Sequence, residues 1–506
     1  MRPWISGTRI LLVTLCLVIG SVSCEAAGFK AGFAERDITP PLGSEQPGGY
    51  GKSYQKSVHD PCKVRAVVFD DGMNRVALVG IDTLAVRRPF VQGIRKEITQ
   101  NTGIPAEAIL IGASHSHSSG PLSMILPDEF DHADEFVRDL AYNQSSCADA
   151  DYMKTCHAAV VEAVREANEN REEVQAGVGG GYEDKVAFNR RFRMKNGLTY
   201  SHPGQGNPDI IDYAGPIDPE VGVIGVWNGD GKLAGCIVNY ACHATTSPPG
   251  FSANWIYYME KVIRGYFGED VVVVFLPGAC GDITQVDNLS PYRHPDGDTW
   301  AQRVGGCVGA EAVKTLLLMP RGTLAPVMAV SETLEVGRRI PKPERVARCL
   351  EMVKKSPSEV GATEWTFAKE IVLLDAKLKK EPTAAVEVQA VQIGPAVFVT
   401  NPAEYFVELG LRVKRESPFE FTFPVELANG CVGYVPTEEA LGPGGGGYET
   451  RLSNYSNLEV KAGTKIADKG IELARRLAPG EAPKPPAHPP FSGSGWSYGS
   501  VPPEVD

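Results

Sequence analysis

Short runs of β-branched and aromatic residues recur along the chain with few polar interruptions. They are VRAVVFDD at 64–71, RVALVGID at 75–82, AILIG at 108–112, VGVIGVW at 221–227, LAGCIVNY at 233–240, VVVVFLPG at 271–278 and VQAVQIGPAVFVT at 388–400. A strand with one solvated face alternates apolar and polar residues, so near-continuous apolar runs predict strands covered on both faces. Other stretches carry apolar residues every three or four positions. DYMKTCHAAVVEAVREANEN at 151–170 and AEYFVELGLRVKRESP at 403–418 have that spacing, which predicts amphipathic helices. The mixture predicts an α/β protein of layered mixed β-sheets covered by helices.

The pattern changes twice. Residues 341–383 are rich in charge and helix-forming residues, and they predict a helical hairpin inserted in the main body with its charges on a solvated face. From 479 the chain reads PGEAPKPPAHPPFSGSGWSYGSVPPEVD, too poor in apolar residues to build a core and predicted to be an extended or disordered tail. The main body then runs from 28 to 478, with no internal repeat.

Composition narrows the function classes. The chain is 43% hydrophobic and 22% charged, as expected of a folded soluble protein. A net charge of −12 argues against a nucleic-acid partner, which wants a basic stripe to replace phosphate counterions. At the N-terminus Arg2 and Arg9 precede ILLVTLCLVIG and the small-residue stretch SVSCEAAG. That arrangement predicts a signal peptide over 1–26, cleaved between Ser23 and Ala27, and a secreted or periplasmic protein. The apolar run falls short of the roughly 20 residues of a membrane span, and no later stretch is expected to cross a bilayer. Cys24 would suit a lipoprotein, but Ser21 stands where a lipobox prefers leucine. Export permits disulfides. Cys147 and Cys156 are the most plausible local pair, and Cys242 reads as a buried thiol.

Candidate chemistry gathers where strands end, which is where α/β sheets bind ligands. After AILIG come His115 and His117. After LAGCIVNY comes His243, after VVVVFLPG the stretch from Cys280 to Thr284, and after VQAVQIGPAVFVT comes Glu404, opening a helix. Three of nine histidines and a carboxylate at strand exits suit Zn²⁺, which takes imidazole and carboxylate and keeps a position for water or substrate. Residues at i and i+2 of a regular strand point opposite ways. One of His115 and His117 is therefore expected to be a ligand and the other a hydrogen-bonding neighbour.

At these residues the sequence resembles the neutral (alkaline, non-lysosomal) ceramidase family, over its N-terminal catalytic domain. His115-Ser116-His117-Ser118-Ser119-Gly120-Pro121 is similar to that family's H-[ST]-H-S-G-P, with one extra serine. Arg36 to Pro40 with Gly49-Tyr50, Phe188-Asn189-Arg190, Asn239 to Ser247, Gly281 to Thr284, Pro402-Ala403-Glu404 and Gly433 to Glu439 resemble further family motifs. All lie in family order between about 28 and 455. The resemblance implies zinc held by His115, His243, Glu404 and Tyr434, with His117, Arg190 and Tyr448 around it as catalytic residues. It puts Thr284 at the position of the family's reactive serine. The activity implied is hydrolysis of an N-acyl amide such as N-acylsphingosine, a small lipid-like substrate that also implies peripheral contact with a membrane.

The departures bear on the substrate more than on the metal. Thr284 replaces the serine, Gln285-Val286 replaces Pro-Asn, and Gly442 to Gly447 replaces a stretch rich in tyrosine and glutamine. A secreted zinc hydrolase of another ester or amide, or a catalytically impaired binding protein on the same fold, would read similarly. Asp282 reads as a brace for its turn, and Arg190 and Tyr434 also admit purely structural readings, as an ion pair and a core phenol.

Overall fold

The computed structural model describes residues 1, 28–493, 495–499 and 501–506; the apolar leader and its cleavage region lie outside the described residues. Three sheets organise the chain, one of five strands and two of four. The first contains β1 (Lys30–Asp37), β2 (Lys63–Asp70), β3 (Arg75–Ile81) and β4 (Ile109–Ala113), in the order β4-β3-β2-β1, with the two-residue strand Glu172–Glu173 at the edge. The second contains β5 (Gln175–Tyr182), β6 (Glu220–Trp227), β7 (Leu233–Tyr240) and β8 (Val272–Pro277), in the order β8-β7-β6-β5. The third contains β9 (Val327–Gly337), β10 (Thr383–Ile393), β11 (Ala396–Thr400) and β12 (Phe421–Val425), in sequence order. Each sheet is mixed, with one parallel pair: β3 with β4, β7 with β8 and β11 with β12.

The apolar strands are buried on both faces because the sheets stack. Val67, Val79 and Ile111 of the first sheet share a core with Ile224, Ile237 and Leu276 of the second and with Phe398 and Phe423 of the third. Approach is closest where side chains are absent. A Cβ on Gly80 would sit 2.5 Å from the Phe275 carbonyl oxygen, so glycine is required there. Helices cover the outer faces. They are α1 (Arg88–Thr102) and α2 (Ala150–Glu169) on the first sheet, α3 (Trp255–Phe267) and α4 (Gly297–Leu318) on the second, and α7 (Val407–Glu416) and α8 (Ala462–Arg475) on the third. This is the expected layering of mixed sheets under helices.

Four local expectations need correction. The run 388–400 is two strands, β10 and β11, turned at Gly394, whose φ is 57°. The helix expected from 403 begins at Val407, because Glu404 and Tyr405 pair with Tyr434 and Val435 as short parallel strands. The inserted segment is helical, with α5 (Pro343–Val353) and α6 (Ala362–Lys380), but α6 does not keep its charges in solvent: Lys369 and Glu370 are buried. Cys147 and Cys156 are free thiols, as are all the cysteines among the described residues. The Cys147 thiol turns to the Ala141 and Ser145 carbonyls, while Cys156 is in the core under α2. From 479 the described tail holds no helix or strand, and no described helix is long and apolar enough to cross a membrane.

Candidate metal centre

The chain leaves β4 into a turn at His115, whose φ of 61° is left-handed and uncommon for a residue with a Cβ. That turn defeats the alternation expected of a strand. The rings of His115 and His117 converge, with their Nε2 atoms 3.3 Å apart. The backbone around them is fixed on both sides: the Ser116 N–H donates to the Thr83 carbonyl and the His117 N–H to the Ala244 carbonyl. His243, beyond β7, brings its ring centroid within 4.6 Å of that of His115. Ring nitrogens of the three histidines all lie within 4.8 Å of one another. Glu404, beyond β11, is aligned by its N–H on the Gly433 carbonyl and by pairing with Tyr434.

Hydrogen bonds to main-chain carbonyls orient two of the imidazoles. His115 Nδ1 donates to the Leu84 carbonyl at 2.8 Å, and His243 Nδ1 to those of Cys280 and Ile283 at 2.7 and 2.9 Å. A second partner of this kind fixes the tautomer of a metal-ligating histidine. Burial, helped by the Arg190 charge, pushes His243 down to about 3, so its Nε2 carries a lone pair. That lone pair faces Glu404 Oε2 at 3.1 Å, one acceptor against another. His115 Nε2 stands 3.4 Å from the same oxygen. Burial opposes a charge on His115, but the Glu404 carboxylate outweighs it and raises that pKa. Burial likewise opposes the charge of Glu404, and His115 and His243 outweigh it. Imidazole nitrogens and a carboxylate oxygen converging in a buried pocket fit a divalent cation.

Arg190 closes the cluster. It is 3% exposed; its guanidinium donates to Glu449 at 2.7 Å, the Gly281 carbonyl at 2.7 Å, the Tyr434 hydroxyl at 3.1 Å and His243 Nε2 at 3.2 Å. The Tyr434 and Tyr448 hydroxyls are 2.9 Å apart, and the guanidinium lies over both rings. A cleft of about 70 Å³ opens here, with His117, Glu404, Tyr434, Tyr448 and Tyr455 in its wall.

The structure therefore gathers His115, His117, Arg190, His243, Glu404, Tyr434 and Tyr448. Thr284 stands apart: it pairs with Phe188, its hydroxyl donates to Gln285 Oε1 at 3.0 Å, and it is not in the cleft wall. Asp282 braces its turn through Asn189 and the Val407 N–H. Two supporting carboxylates went unread in the sequence. Glu426 accepts N–H groups from Cys280 at 2.8 Å and Tyr405 at 2.9 Å, tying the segment that holds His243 to the one that carries Glu404; burial pushes it up to about 7. It follows β12, so the strand-exit rule could have found it. Glu449, the partner of Arg190, follows a glycine run and carries no comparable signal.

No protein-family model matches the sequence, and no curated protein matches it. Solved structures do match the fold. A ceramidase complexed with C2 is similar with a TM-score of 0.68 and 16% identity, over 90% of this chain and 77% of that one. The neutral ceramidase from Pseudomonas aeruginosa is similar with a TM-score of 0.66 and 18% identity, over 91% of this chain and 77% of that one. The fold implied by the sequence resemblance is the fold found.

Proposed function

We propose that this protein is an exported zinc-dependent amidohydrolase, ceramidase-like in that it splits an N-acyl amine into fatty acid and amine. The observation that carries the reading is the convergence of three imidazoles, two of them against the Glu404 carboxylate, in the fold of solved ceramidases. The leader-like N-terminal stretch supports export.

His115, His243, Glu404 and Tyr434 would hold the metal, with His117 beside them. When bound, zinc supplies Lewis acidity and brings the ionisation of water toward neutral pH, about 7. Arg190 keeps its charge at every working pH and stands against His243 and Tyr434, which suits it to stabilising the oxyanion of a tetrahedral intermediate. Tyr448 adds an O–H donor on the same side. His117 is kept neutral chiefly by burial, then by His115 and His243, so it is able to take a proton from attacking water and return it to the leaving amine.

Metal analysis of purified protein should find about one zinc per chain. His243→Ala should lose it together with hydrolysis of N-octanoyl amides, assayed as released fatty acid. Full zinc occupancy in that variant would remove His243 from the ligand set. A metal-replete wild type that cleaves esters but no amide would make it a different hydrolase.

A further inference from the structure

A second cavity of about 500 Å³ adjoins the metal cleft, and the two share Tyr50, Met124 and Tyr455 as walls. The size suits a ligand, and the lining mixes apolar side chains such as Ile125, Leu126 and Val432 with charged ones. Five cationic and five anionic side chains line it, and covering them with hydrocarbon would strip their solvation without replacing it. Most are satisfied among themselves: Glu129 pairs with Arg87 at 3.1 Å and Lys377 at 3.0 Å, and Arg88 with Glu387 at 3.1 Å. Of those that are buried, Glu370 has the loosest pairing. It projects from α6, is 4% exposed, and has Lys369 at 3.6 Å as its one ion pair. Lys369 also donates to the Tyr50 and Gln144 carbonyls, leaving one N–H toward Glu370. In the same wall, Ser146 Oγ and Asn454 Oδ1 are buried without partners.

The unmet groups are mostly acceptors, so the missing partner is a donor. Equal numbers of opposite charges in the lining favour a neutral ligand over a charged one. We infer that this cavity is the subsite for the amine half of the substrate, and that this half is a hydroxyl-rich amino sugar or amino polyol whose O–H groups donate to Glu370. The inference rests on the amidohydrolase reading and adds the substrate class to it. Glu370 is then a specificity residue at some remove from the reacting bond, supplied by the inserted segment.

The test holds the acyl group constant and varies the amine: N-octanoylglucosamine, N-octanoylsphinganine and N-octanoylhexylamine. Wild type should favour the glucosamine amide in kcat/KM by about tenfold or more, the scale of a hydrogen bond to a charged group. Glu370→Met should erase most of that preference through KM, and the isosteric Glu370→Gln should retain part of it. Equal or better turnover of the sphinganine or hexylamine amide, or a preference untouched in Glu370→Met, overturns the subsite. If none of the three is hydrolysed, calorimetry of wild type with N-octanoylglucosamine decides. Saturable binding weakened in Glu370→Met upholds the subsite while the hydrolase reading falls; absence of binding overturns the subsite.

Discussion

Arg190 holds a buried ion pair and also donates to His243 and Tyr434 of the proposed ligand set, and one substitution separates those roles. Arg190→Met keeps the length of the side chain and removes its charge. Glu449, 0% exposed, then loses its 2.7 Å partner and keeps only the Ser201 hydroxyl among its side-chain donors. Leaving one member of a buried pair uncompensated costs about 3–5 kcal/mol. Urea unfolding followed by tryptophan fluorescence should show a loss of that size, with the m-value unchanged. Adding Glu449→Gln removes the stranded charge and should recover about half or more of the loss, while amide hydrolysis stays at least about a hundredfold down, as for a lost oxyanion donor. A single-variant loss below about 1 kcal/mol would show that the pair is not the structural element described. Recovery of activity alongside stability in the double variant would refute a role for Arg190 at the reacting atoms.

Three further outcomes are expected. Glu260 is held down to about 2, because Arg65, Lys63 and Arg264 outweigh the burial that would raise it. A depressed carboxylate stabilises the fold above its unfolded pKa of about 4.5 and ceases to do so as pH falls through about 2, a span worth about 3 kcal/mol; Glu260→Gln should flatten the fall in urea midpoint between pH 5 and 2, and an unchanged slope would count against the assignment. Lys369→Met removes the donor that holds the Tyr50 carbonyl, so hydrogen exchange at Gly49 and Tyr50 should quicken by about tenfold or more and KM should rise; protection equal to wild type would show that the loop is held elsewhere. Thr284→Val should leave kcat/KM within about threefold, since the hydroxyl faces Gln285 and a single surface-remote hydrogen bond contributes little to the barrier; a loss near a hundredfold would bring that hydroxyl to the substrate.

Much of the fold was legible because the strands are buried on both faces, which leaves runs such as VVVFLP at β8 with no polar interruption to misread. The site was legible at His115, His243 and Glu404 for a related reason: parallel pairs carry strand ends to one side of the stack. What could not be read was set by backbone turns. The left-handed φ of His115 folds His115 and His117 onto one point, against strand alternation. The pairing of Glu404 with Tyr434 displaced the start of a helix that periodicity alone would extend to 403. The buried charges of α6 were hidden because Lys369 and Glu370 satisfy the helical pattern equally well in solvent.

The inserted helices supply a wall to the larger cavity but no atom to the imidazole cluster. Under the proposed function and subsite, reactivity and selectivity are written in different stretches of text. A lineage that rewrote residues 341–383 would keep the same bond-breaking apparatus and acquire a new diet, so divergence among proteins with this core should concentrate in that segment while the strand exits stay as they are.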